Sequence, residues 1–124
     1  MATKHRIEKI NELIRTQISE TVSYGLKDPR LENVIVGVSR VSTTPDMKYC
    51  KVYFNIYTGD DDRAQEIMAV LEKAKGYIRK QVSDALTTRY SPELTFILDD
   101  SYKQYDHINE ILKDLDIKNE DEEI

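Results

Sequence analysis

The sequence predicts a two-layer α+β domain with the element order α-β-β-α-kink-α-β and a three-stranded sheet covered by helices on one face. Two long segments place apolar residues at helical spacing, and three shorter segments have β-branched or alternating apolar residues. The 124 residues fit one domain, and a composition of 40% hydrophobic and 33% charged residues is typical of a globular protein.

Residues 4–24 predict the first helix, which is amphipathic. Its apolar positions recur every three or four residues and comprise Ile7, Ile10, Leu13, Ile14, Ile18 and Val22. We expect Gly25 to end this helix. Pro29 prevents any continuation, because proline has no amide proton and biases Asp28 away from helical geometry.

Two strands are predicted at 33–41 and 49–57, joined by the turn-rich residues 42–48 as an antiparallel hairpin. In the first strand Val34, Val36 and Val38 share a face. In the second strand the inward positions are Cys50, Val52, Phe54 and Ile56, and the outward positions include Tyr49, Tyr53 and Tyr57.

Helical periodicity resumes over residues 62–87, with Gly76 near the middle, where it permits a kink or the close approach of another backbone. Residues 93–98 predict the third strand. Because a long helical segment joins strands two and three, we expect a right-handed crossover and a parallel pair. Residues 106–115 predict a short amphipathic helix or turn.

Charge is distributed unevenly along the chain, whose formal net charge is −5. Residues 1–98 contain 15 Lys/Arg and 13 Asp/Glu, a net +2, whereas residues 99–124 contain 3 Lys and 10 Asp/Glu, a net −7. We therefore expect a folded domain over 1–115, with its core at about 4–112, and an acidic, disordered tail at 116–124. The net charge consequently does not exclude an RNA partner.

Basic residues cluster around the predicted kink. Lys73, Lys75, Arg79 and Lys80 form two adjacent rows if the helix is continuous, and they are the first candidates for RNA phosphate contacts. A helix break at Gly76 would expose amides that can meet phosphate oxygens. The secondary candidates are Arg6, Lys9, Arg30, Lys48 and Arg89. An ordinary solvated helix face explains the same pattern.

Other chemistry-bearing residues have simpler explanations. The outward tyrosines could stack on bases, but cross-strand packing accounts for them equally. Helix capping and solubility explain Asp60 to Asp62 and the pair Asp99-Asp100. Cys50, the only cysteine, is expected to be a core residue, which excludes a disulfide framework and a cysteine-rich zinc site. The sequence predicts no active site, metal or cofactor.

Four blocks of sequence, in order and at the right spacing, resemble the ribosome-binding factor A family. They are Asp28-Pro29-Arg30, the run from Thr44 to Tyr53, the run from Ala74 to Arg79, and Ser91 to Phe96 followed by Asp99-Asp100-Ser101. The resemblance extends from about Arg6 to Leu112. It implies a KH-like domain of the second type in which an Ala-x-Gly kink, here Ala74-Lys75-Gly76, replaces the usual Gly-x-x-Gly loop.

The resemblance also implies a non-enzymatic assembly factor that binds the small ribosomal subunit, assists late maturation of its rRNA and is associated with growth in the cold. We expect a cytoplasmic monomer with no membrane and no small-molecule substrate, since no signal-like block or spanning apolar run is present. Two other hypotheses remain: a protein–protein interaction module using the tyrosine face or the acidic tail, and a small hydrolase using Asp99 and Asp100.

Overall fold

The computed structural model describes residues 3–86 and 91–99 and has the predicted order of elements. They are α1 (Lys4–Glu20), which continues as a π-helical turn (Thr21–Gly25), a 3-10 turn (Pro29–Leu31), β1 (Ile35–Thr43), β2 (Tyr49–Tyr57), α2 (Asp61–Lys73), α3 (Lys75–Leu86) and β3 (Glu93–Leu98). The predicted segment 106–115, the acidic tail 116–124, Arg89 and Asp100 lie outside the described residues.

Side chains and glycine set the helix ends as the sequence indicates. The Thr3 hydroxyl accepts a hydrogen bond from the Arg6 amide at the start of α1, and the π-helical turn that follows α1 ends at Gly25. At the start of α2, the Asp60 carboxylate accepts from the Asp62 amide at 2.9 Å. The interpretation of Asp60 as a helix cap is therefore confirmed.

The sheet has the strand order β1-β2-β3, with β1 and β2 antiparallel and β2 and β3 parallel, as predicted. The central strand therefore makes both ladders, and α2 and α3 form the connection between the parallel strands. The helices cover the inner face of the sheet, where Val52, Phe54 and Ile56 are fully buried. Phe54 meets Phe96 edge to face, with ring centroids 5.0 Å apart.

A β-bulge in β1 changes the alternation that the sequence predicts. Val38 pairs with Phe54 and Arg40 pairs with Tyr53, so Ser39 is the extra residue. As a result Val38 and Val41 are both buried, although they are three positions apart. The Ser39 hydroxyl lies 2.7 Å from an Asp99 carboxylate oxygen and 3.2 Å from the Tyr53 carbonyl oxygen, which ties the bulge to β2 and to the end of β3.

One detail of α1 differs from expectation. Leu13 was expected in the buried stripe of α1, but it is 52% exposed, because Ile10, Ile14 and Ile18 face the core and leave it at the edge of the stripe. The helical segment breaks at Ala74 (φ −87°, ψ 2°), the first residue of the expected Ala74-Lys75-Gly76 kink. No helix in the described ranges is long and apolar enough to cross a membrane.

Candidate nucleic-acid interface

The break at Ala74 affects only one of the two predicted rows of basic residues. Lys73 ends α2 and Lys75 begins α3, so the two side chains have different neighbours. Lys75 Nζ lies 2.6 Å from a Glu72 carboxylate oxygen and 5.0 Å from the centre of the Phe96 ring, on the side of β3. Lys73 instead lines a cavity with Arg30, on the side of the α1–β1 loop. The row of Lys73 and Lys80 is therefore interrupted, whereas Lys75 and Arg79 lie four positions apart on α3, as expected.

Arg79 and Lys48 both adjoin the segment that leads into β3. Arg79 donates from Nη2 to the Ser91 carbonyl oxygen at 2.8 Å, and the Glu93 amide donates to the Lys48 carbonyl oxygen at 2.9 Å. Together with Lys75, these residues give the β3 side of the break three basic residues. Lys80 is exposed on α3.

Arg6 and Lys9 lie far from the break. Lys9 shares a surface groove with Leu13 and with Ala85, near the C-terminal end of α3, whereas the break is at the N-terminal end of that helix. Since α3 has 12 residues and rises about 1.5 Å per residue, the two ends are about 18 Å apart. The structure does not bring these residues to the basic cluster.

Gly76 does not have the role that its position suggests. A Cβ atom at Gly76 would meet nothing within 4 Å, and the residue is not in the left-handed region. No other backbone approaches it among the described residues, so this part of the expectation was wrong. The change of direction is made by Ala74, whose amide is shared between the carbonyl oxygens of Val70 at 3.2 Å and Leu71 at 3.1 Å.

The Asp28-Pro29-Arg30 block forms a fixed turn beside the break. Two atoms of the Arg30 guanidinium, Nε and Nη2, donate to the two Asp28 carboxylate oxygens at 3.1 and 2.8 Å. The hydrogen bonds from Arg30, together with the nearby positive charge of Lys73, lower the pKa of Asp28 from 3.8 to about 2. Lys27 and Asp28 line one cavity with Arg30 and Lys73, although neither was among the predicted RNA contacts.

Among the described residues, no helix or strand covers the outer face of the sheet, as predicted. Tyr49 and Tyr57 are 55% and 49% exposed, and Tyr53 between them is partly covered by the Arg40 guanidinium, 4.2 Å from the ring centre. On the inner face Cys50 is buried, and desolvation raises the pKa of its thiol. The interpretation of Cys50 as a core residue is confirmed.

The acidic residues do not assemble a metal site in the part of the chain that the structure describes. No group of three or more His, Cys, Asp or Glu side chains there could hold a metal ion. Asp99 is hydrogen-bonded to Ser39, at the end of β3. The arrangement therefore offers charged surfaces for binding rather than a convergent set of ligands.

Two helices meeting at a break and packed on a β1-β2-β3 sheet define a KH-like α+β domain. The family model of ribosome-binding factor A matches residues 6–112, and the chain belongs to this family. A relative from Caldicellulosiruptor bescii, named ribosome-binding factor A, is 37% identical over 119 residues, which cover 96% of this chain and 90% of that protein.

Two solved structures have the same fold. The crystal structure of ribosome-binding factor A from Thermus thermophilus superposes with a TM-score of 0.62 at 20% identity, over 74% of this chain and 93% of that chain. Coordinates of the Thermus thermophilus factor fitted into a cryo-EM map of its complex with 30S match with a TM-score of 0.57 at 20% identity, over 70% of this chain and 88% of that one. At this identity the two structures support the fold.

Proposed function

We propose that this protein is a non-enzymatic assembly factor that binds the small ribosomal subunit through its rRNA and assists late maturation and processing of that rRNA. It acts as a cytoplasmic monomer and contributes to growth in the cold. The family assignment over residues 6–112 supports binding to ribosomes. The Thermus thermophilus factor, whose coordinates were fitted into the map of a 30S complex, supports the small subunit as the partner.

The observation that carries the RNA contact is the grouping of basic residues on the β3 side of the helix break. Lys75 and Arg79 belong to α3 and Lys48 to the turn before β2, and the fold brings these residues around β3 and the residues that precede it. Such side chains neutralise phosphates without reading sequence, which suits a folded rRNA surface. Lys80 is exposed on the same helix, α3.

The test is co-sedimentation with purified small subunits at two salt concentrations. We expect the double variant Lys75→Ala/Arg79→Ala to bind more weakly and to lower the salt slope by about 1 for each phosphate interaction that is removed. The matched control is Arg6→Ala/Lys9→Ala, which removes the same charge from α1, near the end of α3 that is far from the break. Equal binding and equal slopes for the wild type and the first variant would contradict this assignment.

Folding of the variants needs its own measurement, because Arg79 also bonds to the Ser91 carbonyl oxygen. Arg79→Lys keeps the charge but not the fork geometry of a guanidinium. If loss of charge weakens binding, Arg79→Lys retains the salt slope. If the hydrogen bond to Ser91 is what matters, Arg79→Lys unfolds at a lower denaturant concentration and binds as poorly as Arg79→Ala.

A second candidate function is protein–protein interaction through the outer face of the sheet. It is favoured by the exposure of Tyr49 and Tyr57, together with Ile35, which is 69% exposed beside Tyr57 in the β1–β2 ladder. In that case the double variant Tyr49→Ala/Tyr57→Ala weakens binding to subunits but leaves the salt slope unchanged, because no phosphate interaction is removed. Unchanged affinity would exclude this face.

The acidic C-terminal region is expected to oppose RNA binding. Residues 99–124 have a net charge of −7 and should repel phosphate. Because dissolved salt screens this repulsion, its effect is largest at low salt. Removal of residues 116–124 should therefore strengthen non-specific RNA binding, most of all at low salt. Equal low-salt affinities with and without these residues would show that the tail has no electrostatic effect.

A further inference from the structure

A cavity lies on the other side of the helix break, between the α1–β1 loop and the end of α2. Its volume is about 380 Å³, within the range of about 300–1,000 Å³ of pockets that hold small ligands. Apolar walls come from Leu26, Val70 and Ala74, and cationic side chains come from Lys27, Arg30 and Lys73. Apolar walls with a few charged groups at the edge suit a ligand that has both a flat apolar part and an anionic part.

The charges of this cavity favour an anion. Among the described residues that line it are three cations and one carboxylate, that of Asp28, which is paired with Arg30. The side chains of Lys27 and Lys73 make no hydrogen bond or ion pair with a described residue. The break joins the C-terminal end of α2 to the N-terminal end of α3, so the two helix dipoles oppose each other and the side chains dominate the local field.

Arg30 is held in an orientation that leaves one edge of its guanidinium available. Asp28 receives the hydrogen bonds of Nε and Nη2, and Nη1 makes none with a described residue. Because a guanidinium can bind on two edges, the edge that includes Nη1 can meet two oxygens of a phosphate. A carboxylate-bound arginine is therefore still a phosphate ligand.

The loop that holds Arg30 is fixed before any ligand binds. The Arg30 amide donates to Asp28 Oδ1 at 2.9 Å, and the Leu31 amide donates to the Asp28 carbonyl oxygen at 3.0 Å. Arg63 from α2 donates to the Arg30 carbonyl oxygen at 2.7 Å, which ties the loop to the helix that bears Lys73. Such preorganisation reduces the entropy lost when a ligand is bound.

We propose that this cavity binds one nucleotide of single-stranded RNA, with its phosphate on Lys27, Arg30 and Lys73 and its base against Leu26, Val70 and Ala74. The proposal rests on the proposed function and adds a second RNA contact to it. Lys75 and Arg79 lie on the β3 side of Ala74, and this cavity lies on the loop side. The helix break is then held between two contacts with RNA.

The first test measures the cavity directly and does not depend on the ribosome. Adenosine 5′-monophosphate is titrated into isotope-labelled full-length protein, and backbone amide shifts are recorded by NMR. We expect shifts at Leu26, Arg30 and Ala74, weaker shifts at the same amides with inorganic phosphate, and none with adenosine alone. Shifts confined to other residues, or none at all with the nucleotide, would overturn the proposal.

The second test uses a fluorescently labelled single-stranded oligoribonucleotide and the double variant Lys27→Ala/Lys73→Ala. When two phosphate interactions with a single strand are removed, the salt slope should fall by about 1.4. The matched control is Lys4→Ala/Lys51→Ala, which removes the same charge from exposed positions on α1 and on the outer face of the sheet. An unchanged slope for the first variant would overturn the proposal.

The two proposals fail in different ways. If wild-type protein does not sediment with small subunits but the nucleotide shifts the cavity amides, the proposed function is wrong and the nucleotide site stands. If Lys27→Ala/Lys73→Ala binds subunits and the oligoribonucleotide as wild type does, the site is wrong and the proposed function stands. If this variant loses only subunit binding, the cavity contacts a ribosomal protein, and the assignment to RNA is wrong.

Discussion

The two faces of the central strand β2 differ in nearly every property, although their residues alternate along nine positions of chain. On the inner face, Val52, Phe54 and Ile56 are fully buried beneath the helices. On the outer face, Tyr49 and Tyr57 are about half exposed, and Tyr53 is partly covered by Arg40. Within the described part of the chain, one strand thus contributes its inner face to the core and keeps the tyrosines of its outer face largely accessible.

For side chains, exposure therefore decides much of what a truncation in this molecule does. Aromatic and amide side chains occur at both more and less buried positions, so matched pairs of variants can be made. Burial removes apolar area from water and leaves no space for rearrangement, whereas an exposed ring loses little when it is truncated. Two matched pairs of variants test this contrast directly, and two further experiments test the surface positions.

The largest effect is expected at Phe54. Phe54→Ala removes a ring that packs edge to face on Phe96, and it should lower the free energy of unfolding by about 3–5 kcal/mol. The matched change Tyr57→Ala on the outer face should cost less than about 1 kcal/mol. Urea denaturation followed by circular dichroism measures both. Similar losses for the two variants would refute the contrast between the faces.

The next effect concerns two hydrogen bonds between Asn11 on α1 and Thr43, the last residue of β1. Asn11 Oδ1 accepts from the Thr43 amide at 3.1 Å and from the Thr43 hydroxyl at 2.6 Å. Asn11→Ala leaves these donors without that acceptor and should lower the free energy of unfolding by about 1–3 kcal/mol. Asn55→Ala, on the outer face of β2, should change it by no more than about 0.5 kcal/mol. Thermal unfolding distinguishes them, and a neutral Asn11→Ala would contradict the prediction.

A smaller effect of opposite sign is expected at Gly76, which lies on the surface of the helical layer. A Cβ there meets open space in a helical backbone, so Gly76→Ala should raise the free energy of unfolding by about 0.4–1 kcal/mol. Gly59 is the control, because its φ of +72° strains any other residue and Gly59→Ala should be destabilising. A destabilised Gly76→Ala would show that the break does depend on this glycine.

The smallest effect is expected for Arg40, which stacks on Tyr53 in the open face. At an exposed site such a contact contributes about 0.5 kcal/mol. A double-mutant cycle of Arg40→Ala with Tyr53→Leu isolates this energy from the effects of each substitution alone. A coupling energy above about 2 kcal/mol would mean that the outer face is as tightly organised as the inner one.

The fold could be predicted from the sequence because its strands have regular local patterns. The alternation from Tyr49 to Tyr57 gives both the bounds and the faces of β2, and Leu94 and Phe96 do the same for β3. The pattern in β1 is less informative beyond Val38. A bulge depends on pairing with a distant strand, and an isolated run of β-branched residues does not indicate where Ser39 shifts the register.

The candidate site was only partly predictable, because it depends on contacts between distant segments. The sequence identifies Lys73 and Arg30 as basic residues, but they are 43 positions apart, and only the packing of the loop against α2 makes them neighbours. Periodicity also continues through Ala74 as if the helix were unbroken. The prediction therefore treated Lys73 and Lys75 as parts of one basic face, although the kink turns them toward different surfaces.

The bulge at Ser39 has a further consequence for the behaviour of this protein at high concentration. Both β1 and β3 are edge strands among the described residues, and an edge strand offers free amide and carbonyl groups to another molecule. The bulge interrupts the regular spacing of those groups along β1, and β3 has only six residues. Neither edge is a long, flat template, so the serine that turns Val41 inward also limits aggregation through added strands.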